Sequence, residues 1–343
     1  MELTPLEAQK AIEACMFSNI VPLVLGQPGT GKSAMVKAIA DKYKMDLIDV
    51  RLSMCAPEDL MGLPTFEDGK AKFLPFNDVF PIEGTVKNPN GVILFLDEFT
   101  SANKGIQAPV YRLVEDREVG QYKLDSKVFI VCAGNRLQDK AIVNQLSTAL
   151  VSRVCMLEVK PNLKDFLDKG LEWQIHPYVI GYLNCFNAHF NTFNPDEDIL
   201  PFACPRTWYK VSKLLPNLNF KDKDKQILSE SIISGLIGER VSHTFSSFII
   251  NMDSFIKPED IARDPNGSDI PTNKDQLYGI ICSICCYEKL ENNLEEFCTY
   301  IDRITDHSMC LLFYKMVVNF NKKLLSNTQF QKRLIPYVKE LRS

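Results

Sequence analysis

Gly26-Gln27-Pro28-Gly29-Thr30-Gly31-Lys32-Ser33 matches GxxxxGK(S/T) in full, a spacing suited to gripping a chain of phosphates. Glycines let successive backbone N–H groups curl inward as an anion nest, which a Cβ would obstruct. A helix opening directly afterwards, at Ala34, adds unsatisfied N–H groups and the positive end of its dipole. Lys32 supplies a point charge to the β- and γ-phosphates, and the Ser33 hydroxyl is a ligand for magnesium. Gly26 through Ala34 are therefore the candidate nucleotide contacts.

A second constellation lies at the end of the apolar run VILFLDE. Asp97 and Glu98 follow buried-type residues, where a carboxylate costs desolvation unless it is paired or metal-bound. Asp97 is placed to hold the Ser33-bound magnesium. Glu98 is placed to polarise an attacking water as general base. Two solvated carboxylates starting a helix would look the same in isolation. A parallel run, VFIVCAGN, ends in Asn135, whose amide either orients that water near the γ-phosphate or makes an ordinary turn.

These residues need a scaffold that brings strand ends together. Short apolar runs at Val21–Leu25, Leu47–Leu52, Val92–Leu96, Val128–Ala133 and Val154–Val159 alternate with helical patterns, as in a parallel sheet covered on both faces. Open sheets of this kind place ligands at the strands' carboxyl edge. The expected fold class is α/β, a P-loop NTPase three-layer sandwich with a central parallel sheet over residues 1–160. An all-helical lid over 161–262 and a helical C-terminal extension over 263–343 follow, parted by the polar stretch Arg263–Asn273. MELTPLEAQKAIEACMF reads as one amphipathic helix, and the turn Glu67-Asp68-Gly69-Lys70 reads as the tip of a β-hairpin. A second hairpin is expected around Glu118–Lys123, and Trp173 and Trp208 are expected in the lid core.

Taken together the motifs resemble the AAA+ ATPases, and within them the MoxR-like and dynein-related branch, in a form suited to a bacterial or phage-encoded version. PEDLMGLP, LDEFTSANKGIQAPVYRLVEDREV, AGNRLQD and LSTALVSRV follow that branch's pattern in order, strongly from Leu6 to about Val159 and more weakly into the helical part. The resemblance implies ATP and Mg2+ as cofactors. It matches Arg153, after an expected helix Gln145–Ser152, to an arginine finger acting on a neighbouring subunit's nucleotide, and Arg206 to a second sensor arginine. The alternative for either arginine is a structural ion-pair partner. Arg117 and Arg136 are candidates for inter-subunit contacts. A finger that acts in trans implies a ring, and the resemblance implies that the ring is a homo-hexamer. The branch also implies a separate von Willebrand A-domain partner protein. Phe66, Phe73 and Phe76, in the first hairpin's region, either face a substrate or pack.

The 343-residue chain has net charge −4, with 45% hydrophobic and 24% charged residues, which argues against a general polyanion binder. No apolar run approaches the roughly 18 residues needed for a membrane span, and no secretory leader is visible. A cytoplasmic protein is expected. Eleven cysteines fit a reducing compartment; Cys282, Cys285 and Cys286 lack the second pair a zinc site needs and read as helix-face residues. The four scattered histidines read as surface or capping residues. Lys221–Lys225 reads as a solvated loop.

The leading expectation is a chaperone-like machine that uses ATP to remodel or assemble a partner protein. A nucleic-acid-associated motor, possibly GTP-using and paired with a separate nuclease, is the alternative. A third reading is a nucleotide-gated scaffold that scarcely hydrolyses, which would need only the phosphate cradle.

Overall fold

The structure is a computed structural model that describes residues 1–337 apart from 68, 75, 77, 78, 140–143, 145, 198, 199, 221 and 253–255. The chain divides into two compact units, Met1–Asn162 with Asn194–Asp196, and Leu163–Phe193 with Glu197–Ser343.

In the first unit, β1 (Glu2–Leu3), α1 (Pro5–Phe17), β2 (Val21–Leu25), α2 (Lys32–Tyr43), β3 (Asp46–Arg51) and α3 (Pro57–Met61) lead to an antiparallel hairpin, β4 (Leu63–Glu67) with β5 (Lys70–Leu74). Then come β6 (Val92–Asp97), α4 (Gln107–Glu115), the two-residue strands β7 (Glu118–Val119) and β8 (Tyr122–Lys123), β9 (Val128–Gly134), α5 (Thr148–Val151) and β10 (Val154–Val159). Six strands pair in the order β1-β10-β2-β9-β6-β3, every pair parallel.

The side-chain period of two feeds both faces of this sheet. Leu94, Leu96, Ile130 and Cys132 join Val110 and Leu113 of α4 in one core, whereas Ile93, Phe95, Val131 and Ala133 join Ile12 of α1 and Val36 and Ile39 of α2 in another. That is the expected three-layer arrangement. Both expected hairpins form, although Asp68, within the first turn, lies outside the described residues.

The N-terminus departs from the single-helix expectation. Thr4 and Glu7 close a capping box, with the Thr4 N–H donating to Glu7 Oε2 at 2.8 Å, and Pro5 occupies the first helical position. The helix therefore starts at Pro5, which leaves Glu2 and Leu3 to add an edge strand beside Glu158 and Val159. Strand β3 ends one residue before Leu52, which turns into a short 3-10 helix. The helix expected at Gln145–Ser152 spans only Thr148–Val151, because Ser147 caps it by accepting from the Leu150 N–H; Gln145 lies outside the described residues.

The second unit is helical: α6 (Leu163–Glu172), α7 (Pro177–Cys185), α8 (Pro205–Leu214), α9 (Lys223–Ile237), α10 (Glu239–Met252), α11 (Pro258–Arg263), α12 (Lys274–Cys285), α13 (Leu294–Ile301), α14 (His307–Phe320) and α15 (Thr328–Leu334). One apolar core runs through it, from Trp208 and Phe245 to Phe297 and Phe313, so the lid and extension segments share their burial. The polar stretch between them is tied down, since Arg303 Nη1 donates to the Pro265 and Ser268 carbonyls and Tyr300 Oη donates to Asp269. Trp208 is fully buried, but Trp173 is 44% exposed at the end of α6, against the expectation that both sit in the core. Within the run read as a loop, Asp222 caps α9 and Lys223–Lys225 form its exposed first turn. His176 caps α7 by accepting from the Tyr178 N–H. Among the described residues no helix is long and apolar enough to cross a membrane, and no group of three or more His, Cys, Asp and Glu side chains could hold a metal.

Candidate functional site

Strand β2 delivers the phosphate cradle. Its apolar residues are buried throughout, so the chain leaves the sheet abruptly at Gly26. A Cβ at Gly26 would come within 2.7 Å of the Val159 carbonyl oxygen, a backbone atom with no room to yield. Gly31 stands at φ 96° as the cap residue of α2, a conformation open to glycine and strained for other residues. No side chain caps that helix end, which leaves its N–H groups for an anion. Thr30 is buried and closes the loop by donating to the Gln27 carbonyl at 2.7 Å.

The order of strands brings the other candidates to the cradle. Strand β9 lies between β2 and β6, so Asn135, just past its carboxyl end, falls between the cradle and Asp97. Lys32 Nζ donates to Asn135 Oδ1 at 3.0 Å and to the Gly26 and Gln27 carbonyls at 2.7 and 3.1 Å. Ser33 Oγ donates to Asp97 Oδ2 at 3.0 Å. Hydroxyl and carboxylate oxygens are the donor set that magnesium prefers, with phosphate oxygens and water completing its shell. These residues therefore fit a magnesium–nucleotide complex.

Glu98 sits beside this pair in the left-handed region, at φ 56° and ψ 31°. Its N–H donates to Asp97 Oδ1 at 2.8 Å, and its carboxylate accepts from Ser53 Oγ. A non-glycine residue here carries conformational strain, held by the bonds around it. Asp49, one strand over on β3, has its carboxyl pushed above the ordinary range by burial and, after that, by the charge of Asp97.

Asn135 is held from behind by Thr100. The Thr100 hydroxyl accepts from the Asn135 N–H and donates to the Asn135 carbonyl, both at 3.0 Å. Gly134 makes that approach feasible, because a Cβ there would come within 2.6 Å of Thr100 Oγ1. Ser53, Thr100 and Asp49 are absent from the sequence-derived site. Each reaches it through sheet pairing, which no local pattern announces.

The arginines separate. Arg153 lies just past α5, with Nη1 donating to the Ala149 carbonyl and Ser152 Oγ, Nε 3.3 Å from Glu115 Oε2, and its guanidinium carbon 4.3 Å from the centre of the Tyr111 ring. Arg136 is engaged by Asp139 and Glu2, which ties the loop after β9 to the edge strand β1. Arg117 is spent on the Asp125 and Val128 carbonyls. Both make these bonds within their own chain. Arg206 occupies the first turn of α8, in the helical unit. All three phenylalanines are exposed, Phe66 at 83%, Phe73 at 44% and Phe76 at 39%.

A parallel six-stranded sheet with a phosphate cradle after one strand and an acidic pair after another defines a P-loop nucleotide-binding fold. Residues 22–160 match the model of the ATPase family associated with various cellular activities (AAA), and this part of the chain has that fold. No curated protein sequence matches the chain. Among solved structures, NtrX from Brucella abortus in complex with ADP is similar at 16% identity, with a TM-score of 0.40 over 98% of this chain and 67% of that one. The RuvB Holliday junction branch migration motor of Thermotoga maritima is similar at 13% identity, with a TM-score of 0.37 over 85% of this chain and 86% of that one. These overlaps are loose, and neither neighbour informs the substrate or partner of this chain.

Proposed function

We propose that this protein is a MoxR-like AAA+ ATPase that hydrolyses ATP with magnesium at inter-subunit sites of a ring, most simply a homo-hexamer, and uses the cycle to remodel or assemble a partner protein. The observation that carries the hydrolytic part is the pair of hydrogen bonds Lys32–Asn135 and Ser33–Asp97, which gather cradle, metal carboxylate and sensor amide at one sheet edge.

Within that reading, Lys32 and the helix N-terminus bind the phosphates, and Ser33 and Asp97 hold the cation. Magnesium held there by Ser33 and Asp97 would supply positive charge to offset that of the phosphates. Glu98 takes the proton from the attacking water, and Asn135 orients that water with its amide. Ser53 fixes the Glu98 carboxylate until water replaces it. Arg153 serves the neighbouring subunit's nucleotide, and Arg206 takes the second-sensor role; both assignments rest on the resemblance. The partner class, a von Willebrand A-domain protein, rests on it too.

Glu98→Gln keeps the shape of the side chain and removes the base. ATP turnover is expected to fall by roughly 10²-fold or more while ATP affinity is retained. Equal turnover in wild type and Glu98→Gln would instead support a nucleotide-gated scaffold. Turnover of GTP, without ATP turnover and dependent on DNA, would favour the nucleic-acid motor.

A further inference from the structure

We propose that Tyr111 and Glu115 are positioning residues for Arg153, holding its guanidinium against a ring and at Nε so that the Nη2 donors are presented ready for a phosphate. This rests on the reading of Arg153 as the residue that serves a neighbouring nucleotide.

The geometry is specific. Tyr111 and Glu115 stand four residues apart on α4, so their side chains share one face of that helix. The Arg153 guanidinium carbon lies over the Tyr111 ring, 4.3 Å from its centre, and Glu115 stands 3.3 Å from Nε. Nη1 is spent on the Ala149 carbonyl at 2.8 Å and on Ser152 Oγ at 3.0 Å. The buried Nε has no hydrogen bond, so the Glu115 contact is an ion pair of imperfect angle. Nη2 bonds to none of the described residues.

A residue serving only as a structural ion pair would be expected to offer its carboxylate partner a two-pronged bond, as Arg136 does with Asp139 through Nε and Nη2. Arg153 does not. A ring packs against it, Nε and Nη1 are engaged, and the Nη2 donors remain for another acceptor. Arginine is suited to this because its fork is rigid and stacks on aromatic faces. Holding the fork before the neighbour's nucleotide arrives removes reorganisation from the reaction step. The cradle also has a mechanical consequence, because α4 follows the Asp97–Glu98 segment in the chain. The element behind one subunit's base thereby carries the supports of the arginine directed at the next.

The test is steady-state ATP hydrolysis by the full-length protein, comparing wild type with Tyr111→Leu, Tyr111→Phe, Glu115→Gln, Arg153→Ala and the double variant Tyr111→Leu/Arg153→Ala. Thermal melting of each variant checks folding. Misplacing a catalytic group costs roughly ten- to a hundredfold in rate. Tyr111→Leu is expected to lower kcat by about tenfold with KM unchanged, Tyr111→Phe to restore it by keeping the ring, and Glu115→Gln to lower it about threefold. In the Arg153→Ala background, Tyr111→Leu is expected to do nothing further. A Tyr111→Leu effect that persists undiminished without Arg153 would overturn the proposal, as would a Tyr111→Leu variant with wild-type kcat. Wild-type turnover in Arg153→Ala would overturn the trans-acting reading itself, a different failure, and this proposal with it.

Discussion

Thr100→Val replaces a buried hydroxyl with a methyl of nearly the same volume, and the structure sets what that should cost. The Thr100 hydroxyl serves both backbone groups of Asn135, accepting from its N–H and donating to its carbonyl. Leaving one buried backbone group without a partner costs about 1–3 kcal/mol. Asn135 is only half-buried, so water meets part of the loss, and the two groups together should cost about 2 kcal/mol. Thr100→Ser keeps both hydrogen bonds and loses one methyl, at about 1 kcal/mol. The valine variant should therefore be the less stable of the two, by about 1 kcal/mol, in urea titrations that resolve the first unit's transition. Its chemistry should suffer more than its fold. Asn135 Oδ1 meets Lys32 at 3.0 Å only while its backbone is held, so ATP turnover should fall about tenfold while ATP affinity changes little. A valine variant as stable and as active as the serine variant would show that Thr100 does not hold the sensor.

Two further outcomes concern the helical unit. Burial lowers the His176 pKa to about 4 from its ordinary 6.5, so the unfolded chain binds the extra proton first as pH falls. Stability from this group is full above pH 6.5 and declines through the window down to about 4, by at most about 3 kcal/mol at one proton per site; His176→Asn, which can still cap α7, should flatten that decline in acid titrations, and an unchanged slope would refute the assignment. Arg303→Met should release the segment 263–273, whose Pro265 and Ser268 carbonyls it binds, and the signal is faster cleavage there in limited proteolysis; an unchanged cleavage pattern would mean that Tyr300 and local turns suffice.

The parts of the site legible in sequence are those written contiguously or at strand ends. Gly26–Ser33 is a single run whose glycines and lysine have no better use, and Asp97-Glu98 and Asn135 follow apolar strands, where polarity is conspicuous. What escaped depends on which strands lie side by side. Ser53 reaches Glu98 because β3 pairs with β6, and Thr100 reaches Asn135 because β6 pairs with β9. Serine and threonine a few residues past a strand are common, so neither carries a signal until that pairing is known. Strand β1 is two residues long, too short for any period to appear. The polar stretch at 263–273 reports exposure, which a tethered surface loop and a domain boundary share. Trp173 was misplaced for a related reason: its apolar neighbours define the stripe of α6, but the helix ends before its ring reaches the core.

Strain at Glu98 links these observations. Local preference disfavours a glutamate at φ 56°, and an asparagine or glycine there would relax the backbone. Neither could serve as a base. The conformation is held instead by neighbours that each do something else: Asp97 takes the Glu98 N–H while meeting Ser33, and Ser53 takes its carboxylate from the next strand. Asn19, Lys44, Arg117 and Gln174 also stand at positive φ, but Glu98 alone of these five belongs to the acidic pair, and strain at such a site accords with a geometry needed for chemistry. A Glu98→Gly variant should accordingly be at least as stable as wild type yet inactive, whereas a structural role for Glu98 would make the glycine variant the less stable protein.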